Sequence, residues 1–326
     1  MIWRQKRLLA IVVLLAALTL VFLLWPRLSK PDRLDITVII KSIDPTVEFW
    51  QVLIDGVYEA AQEFNANVQV LGTKYEKDVD EQIELVDQVI SERPDVIVLA
   101  ANDYDRLVPI ANKVKSSGIK LIIVDSGINS NAALSVVSTD NVSAGNKAGM
   151  AMLEQIGSSA KIAVMSYVKN AASAIDREKG VREVLSEYSH IKLLDTYYVD
   201  GSERNAYLKA IELLQEHPDL FGIIGLNEPT TVGAGKAIKE MKKKGVVKLI
   251  GFDSSINEIK LLEEGIMKAT VIQRPFQMGY LSIKTAVEAA EGKKVPQTID
   301  TGSLIITKTN MYEEENQKLL FPFVDK

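Results

Sequence analysis

Past residue 34 the chain alternates short, almost unbroken apolar runs with longer stretches whose apolar residues recur every three or four positions. The short runs are DITVIIKS (35–42), NVQVLG (67–72), DVIVLAA (95–101), KLIIVD (120–125), LSVVSTD (134–140), KIAVMS (161–166), IKLLDTYYV (191–199), LFGIIGLN (220–227), VVKLIGFD (246–253) and MKATVIQ (267–273). A strand that is apolar on both faces belongs in a parallel sheet covered by helices. The intervening segments supply those helices: VEFWQVLIDGVYEAAQEF (47–64) keeps the helical spacing, and ERNAYLKAIELLQEHP (203–218) ends at a proline. The pattern predicts an α/β protein of two doubly wound, parallel-sheet, Rossmann-like lobes. No Pro-Gly-Ser linker separates them, so a boundary falls at an element junction near STDNVSAG (138–145), and the chain can cross between lobes more than once.

A different pattern occupies the first 34 residues. Arg4, Lys6 and Arg7 precede an apolar run from Leu8 to Trp25 broken only by Thr19. At 1.5 Å per residue that run is long enough for the roughly 30 Å hydrocarbon layer. The sequence LLWPRLSKPDR that follows offers no small-x-small cleavage site. A retained signal anchor over residues 8–25 is therefore expected, with residues 1–34 as anchor and short linker. A cleaved signal peptide is the competing reading. Arg27, Lys30 and Arg33 roughly balance the positive charge before the run. The short head is the easier part to keep inside, which puts the body on the extracytoplasmic side of the cell membrane.

Several apolar runs finish on a polar group. KLIIVD ends at Asp125, LFGIIGLN at Asn227, LIGFDSS places Asp253 beside Phe252, and MKATVIQ ends at Gln273. Ligands of open α/β sheets bind beyond the carboxyl ends of the strands. If two sheets face each other, these groups converge on one cleft. Asp and Ser after a strand also make good N-caps for the next helix, a second reading that Asp253 carries.

Composition and charge remove other classes. The net charge of −5 offers no basic field for nucleic acid. With no cysteine there are no disulfides, thiolate metal sites, thiol nucleophiles or thioether-linked lipid. His190 and His217 are far apart and read as surface residues. TTVGAGKAIKE (230–240) lacks the spacing of a phosphate loop and falls inside a helical pattern, while the G-x-x-x-G of AGNKAGM (144–150) reads as a close-packed helix surface. No catalytic residue, metal set or cofactor is expected.

The order of motifs resembles the ribose-binding-protein group of periplasmic solute-binding proteins over about residues 35 to 308. DGVYEAAQEF, IIVDSG, STDN, DREKGVREVL, GLNEP, IGFDSS and ATVIQRPFQMGYLS follow one another in that family's order. The resemblance implies three crossings between lobes, near Thr139/Asp140, Gln273/Arg274 and Thr301/Gly302. The first lobe is then 35–139 plus 274–301, and the second 140–273 plus 302–326. It implies hinge closure on a sugar. Phe49 and Trp50 match the ring-stacking aromatics, although both also fit a core position on the first helix. Asp125 and Asp253 match the two carboxylates, Phe252 the neighbouring ring, Asn227 an amide of the second lobe, and Gln273 the hinge-side amide. Asn102 lies one place from another family asparagine. The second-lobe arginine aligns with Ile175, with Arg177 two residues on. Ser126 stands where the ribose binder has arginine, which argues against ribose itself, and Asp44 lies in a longer first loop. Sugar hydroxyls both donate and accept, so planar carboxylates and amides suit them, and the apolar ring face suits an aromatic.

These features lead to a membrane-tethered extracytoplasmic protein that binds a monosaccharide or related polyol. It would present the ligand to an ABC permease or to a membrane sensor histidine kinase. The retained anchor favours the sensor, because tethering raises effective concentration. A ligand-responsive transcription regulator is disfavoured by the missing DNA-binding helices. A hydrolase using Asp125 and Asp253 as an acid/base pair lacks any accompanying nucleophile, metal or cofactor loop.

Overall fold

The computed structural model describes residues 33–321. The expected anchor over 8–25 lies outside these residues. Among the described residues no helix is long and apolar enough to cross a membrane.

The alternation seen in the sequence folds into two six-stranded sheets. The first sheet contains β1 (Asp35–Ile40), β2 (Asn67–Gly72), β3 (Val96–Leu99), β4 (Lys120–Val124), β5 (Ser135–Ser138) and β11 (Thr298–Asp300), in the order β11-β5-β4-β3-β1-β2. All its pairings are parallel. The second contains β6 (Ala160–Ser166), β7 (Ile191–Tyr198), β8 (Leu220–Gly225), β9 (Lys248–Phe252), β10 (Met267–Ile272) and β12 (Leu304–Thr307), in the order β12-β10-β9-β8-β6-β7. Only β12 runs antiparallel. β11 and β12 carry no long apolar run and are not foreseen from the pattern.

Helices connect the strands: α1 (Glu48–Glu63), α2 (Val79–Glu92), α3 (Val108–Ser116), α4 (Asn141–Leu153), α5 (Ala172–Leu185), α6 (Glu203–Glu216), α7 (Glu228–Glu240), α8 (Ile256–Glu263), α9 (Pro275–Ala290) and α10 (Glu314–Leu320). The apolar runs are unbroken because both strand faces are covered. In the second sheet, Ile223 and Leu249 join a cluster with Leu213 of α6 and Ile238 of α7, whereas the next residues, Ile224 and Ile250, join Ala148 of α4 and Val181 of α5. The would-be phosphate loop lies within α7. The G-x-x-x-G segment lies in α4, where a Cβ on Gly145 would sit 2.2 Å from the Arg177 carbonyl oxygen and one on Gly180 would sit 2.2 Å from that of Val142. These two glycines let α4 and α5 touch backbone to backbone, which fixes the height of Arg177 on α5.

The chain passes between the sheets three times: after β5, after β10, and between β11 and β12. At the first and third passages Asp300 Oδ1 accepts from the Asp140 N–H at 3.0 Å and the Gly302 N–H at 2.8 Å. The Thr301 N–H donates to Ser138 O at 3.0 Å. Two strands of the crossing are thus tied by one carboxylate.

Candidate functional site

The carboxyl ends of β1, β4, β8 and β9 meet in a cleft between the sheets. Asp125 follows β4 and Asp253 follows β9, and the two turns are built alike. Both residues sit in the left-handed region, at φ 61° and 77°, a conformation Asp tolerates better than most side chains. The Asp125 N–H donates to Val137 O on β5 at 2.9 Å, and the Asp253 N–H donates to Val271 O on β10 at 3.0 Å. Each apolar strand is therefore stopped by a strained residue hooked to its neighbour. Both carboxylates line the same cavity, together with Phe49, Trp50, Arg177, Asn227 and Gln273. The cavity measures only about 20 Å³, room for one water molecule and far below the roughly 300–1,000 Å³ of a ligand pocket. The two walls touch across it, through Lys41 to Ser173 and through Glu228 to the first turn of α1.

Five residues that the sequence reading passed over, Lys41, Glu76, Tyr167, Ser173 and Glu228, contribute to its chemistry. Lys41 follows β1 and enters the cleft with its Nζ 2.8 Å from Asp125 Oδ2, both side chains buried. Its ammonium donates to Ser173 Oγ of the other lobe at 3.2 Å and lies 5.8 and 5.6 Å from the ring centroids of Trp50 and Tyr167. Burial works against the lysine's charge, but Asp125 and Glu76 outweigh it and hold the pKa above the ordinary lysine range. Glu76 accepts from Trp50 Nε1 at 3.2 Å. Its other oxygen is buried without a partner. Burial, only partly offset by Lys41, pushes its pKa up. Glu228 opens α7 and reaches across the cleft to α1. A polar residue at the end of an apolar strand, the signal that picked out Asp125 and Asp253, was present for Lys41 as well.

The second lobe frames Asp253. Gln273 Nε2 donates to its Oδ1 at 2.7 Å and the Glu228 N–H to its Oδ2 at 3.0 Å. Burial raises the Asp253 pKa against the pull of Arg177 and these donors. Gln273 Oε1 is buried with no partner. Arg177 Nε donates to Asn141 Oδ1 at 2.9 Å and its Nη1 to Leu226 O at 2.8 Å.

Two expected site residues stand elsewhere. The ring of Phe252 is wholly buried in the second lobe's core and does not line the cavity. Phe252 is the last residue of β9 and points into the core, and the chain turns into the left-handed region only at Asp253. Phe252 instead carries the Arg177 guanidinium over its face, 4.6 Å from the centroid. Asn102 is buried behind the cleft, its N–H donating to Gln82 Oε1 at 2.9 Å and its Nδ2 to Thr73 Oγ1 at 3.3 Å. Asn227 lines the cavity, and its Oδ1 also caps α7 by accepting from the Thr230 N–H at 3.1 Å. Ile175 is 43% exposed and Arg177 takes the cleft position. Asp44 lies at the outer mouth, among residues of both lobes.

A sequence model of the periplasmic binding protein domain matches residues 36–294. The chain belongs to that family. Among its relatives, the D-ribose/D-allose-binding protein of Pseudomonas aeruginosa is 25% identical over 298 residues, covering 89% of this chain and 92% of the relative. The D-allose-binding periplasmic protein of Escherichia coli is 26% identical over 256 residues, 76% of this chain and 82% of the relative. A solved ABC transporter solute-binding protein from Agrobacterium vitis with bound D-fucose superposes with a TM-score of 0.85 at 33% identity, covering 88% of this chain and 99% of its own. A sugar transporter from Clostridium phytofermentans gives 0.79 at 38% identity, with 84% and 98% covered. These periplasmic binding proteins are sugar-binding transport proteins, not enzymes.

Proposed function

We propose that this periplasmic binding protein closes on a monosaccharide or related polyol and delivers it to an ABC permease. The moving lobes are residues 35–139 with 274–301 and residues 140–273 with 302–326. Residues 8–25 hold the protein to the membrane, with both lobes on the extracytoplasmic side. One observation carries the reading: Asp125 and Asp253, one from each sheet, are held in matching left-handed turns on the walls of a single closed cavity.

The chemistry of the cavity fits a polyhydroxyl compound. Asp125, Asp253, Glu76 Oε2 and Gln273 Oε1 are acceptors, and Lys41, Arg177 and the Asn227 amide are donors. A hydroxyl satisfies both kinds at once. A buried polar atom left without a partner costs about 1–3 kcal/mol, so a ligand whose hydroxyls reach Glu76 and Gln273 gains what the ligand-free closed form lacks. Phe49 and Trp50, in edge-to-face contact at 5.0 Å, offer the apolar wall that a pyranose or furanose face requires. Without ligand, Lys41 keeps Asp125 from being buried as an unpaired charge, a state that would otherwise oppose closure. Entry of a sugar ring moves the ammonium aside, and it then donates to a ligand hydroxyl.

Trp50 is the sole tryptophan beyond residue 25 and lines the cavity, so its emission reports occupancy. Titration with a panel of monosaccharides and polyols is expected to give a saturable change for at least one of them. A panel that leaves the emission untouched contradicts the proposal.

A further inference from the structure

Helix α1 starts without a cap of its own. Val47 stands at the N-cap position and has no side-chain acceptor, where Ser, Thr, Asp or Asn ordinarily takes up the first N–H groups. The opposite lobe supplies the acceptors. Glu228 Oε1 accepts from the Glu48 N–H and Oε2 from the Phe49 N–H, each at 3.1 Å. The exchange is mutual: Glu48 Oε2 accepts at 3.1 Å from the Ile256 N–H, the first of α8 in the second lobe. Ser255 and Glu258 already form a capping box there, and Glu48 adds to it from outside.

Each lobe thus completes the first turn of a helix in the other. Glu228 is also rooted in the binding wall, since its own N–H donates to Asp253 Oδ2. These three bonds join residues on opposite sides of the cleft, so they exist only when it is shut. None of them involves a ligand. In the open form the first N–H groups of α1 have only water, because position 47 cannot serve them.

We propose that Glu228 and Glu48 are positioning residues that form a reciprocal clasp. The clasp draws the first turn of α1, with Phe49 and Trp50, over the cleft and sets how much of the ligand-free protein is closed. The inference rests on the binding reading above, because it assumes that the two lobes open and shut.

The chain contains no cysteine, so two introduced cysteines label selectively. Lys77 and Arg204 are exposed and face each other across the mouth from different lobes. Spin labels at K77C and R204C in the full chain report the interlobe distance by pulsed electron resonance, without any ligand. The expected result is a closed population that falls about tenfold relative to open in E48A, which loses one cross-lobe hydrogen bond, and by at least as much in E228A, which loses two. V47S is expected to shift the ratio the same way although it removes none of the bonds, because it gives open α1 its own cap; its melting temperature should hold or rise. A wild-type protein with no closed population, or a ratio unchanged in folded E48A and V47S, overturns the clasp. A protein that binds no carbohydrate yet shows the redistribution keeps the clasp and loses the sugar reading. A sugar binder indifferent to all three substitutions keeps the sugar reading and loses the clasp.

Discussion

Replacing Asp253 by Asn separates binding from stability at one atom. The carboxylate accepts from Gln273 Nε2 and from the Glu228 N–H, and an ionised carboxylate has about four acceptor sites, leaving about two for ligand hydroxyls. Asparagine keeps one oxygen and turns the other into a donor. That donor takes the Gln273 side, where rotation of the Gln273 amide offers its unpartnered Oε1 as acceptor, and it presents the wrong polarity to one sugar hydroxyl. Hydrogen bonds to a charged group are worth about 1.5–3 kcal/mol, which corresponds to a roughly 10- to 100-fold loss of affinity. Stability should not follow. The substitution relieves the buried charge that raises the Asp253 pKa, and Asn accepts the φ of 77° at least as well. Calorimetric titration with the sugar found by Trp50 emission, paired with thermal melts of the free protein, measures both. An affinity within twofold of wild type, or a melting temperature that falls along with the affinity, refutes the reasoning.

Three further predictions follow from the same geometry. K41M leaves Asp125 buried without its cation and is expected to cost about 3–5 kcal/mol in chemical denaturation; K41M with D125N should recover most of it, and no recovery would mean Lys41 acts through packing alone. Burial, helped by the Asp253 charge and opposed by the Phe49 and Glu48 N–H groups, pushes the closed-form Glu228 carboxyl up to about 8, whereas the same group in water titrates near ~4.3. Between these values the closed form holds more protons, so closure takes one up and weakens as pH rises towards 8, levelling off above it. Calorimetry at pH 6.5 in buffers of different ionisation enthalpy should show uptake approaching one proton per ligand, mostly lost in E228Q; proton release would contradict it. G145A drives a methyl against the Arg177 carbonyl, so it should lower stability by about 1–3 kcal/mol and weaken binding by displacing Arg177; an unaffected melting temperature would show that α4 and α5 can separate freely.

The architecture was readable because the strands are covered on both faces, which leaves an unbroken apolar signature. β11 and β12 escaped for the opposite reason: three and four residues long at the crossing, with few fully buried positions, they carry no period to detect. Asp125 and Asp253 were legible as carboxylates closing apolar strands. Lys41 carried the same mark, but a lysine at a strand end reads as solvated until the structure shows what it pairs with. Phe252 is the last residue of β9 and packs into the core of its lobe, a choice of face that the run of apolar residues before it does not disclose. Asn102 turns its Nδ2 to the Thr73 hydroxyl within its own lobe, a contact no local pattern announces. Glu228 was invisible because its partners are N–H groups 179 and 180 residues away, and no local pattern announces a cap supplied by another lobe.

The most direct measurement is a thermal-shift screen against monosaccharides, polyols and furanoses, run in parallel on the wild-type protein and on D125N/D253N. A compound that binds the native state raises its melting temperature by an amount that grows with the logarithm of its concentration above Kd. At least one polyhydroxyl compound should stabilise the wild type in a concentration-dependent way and leave the double variant unmoved. A stabilising compound that acts equally on both proteins would contradict the shared cleft, and so would a screen in which no such compound stabilises the wild type.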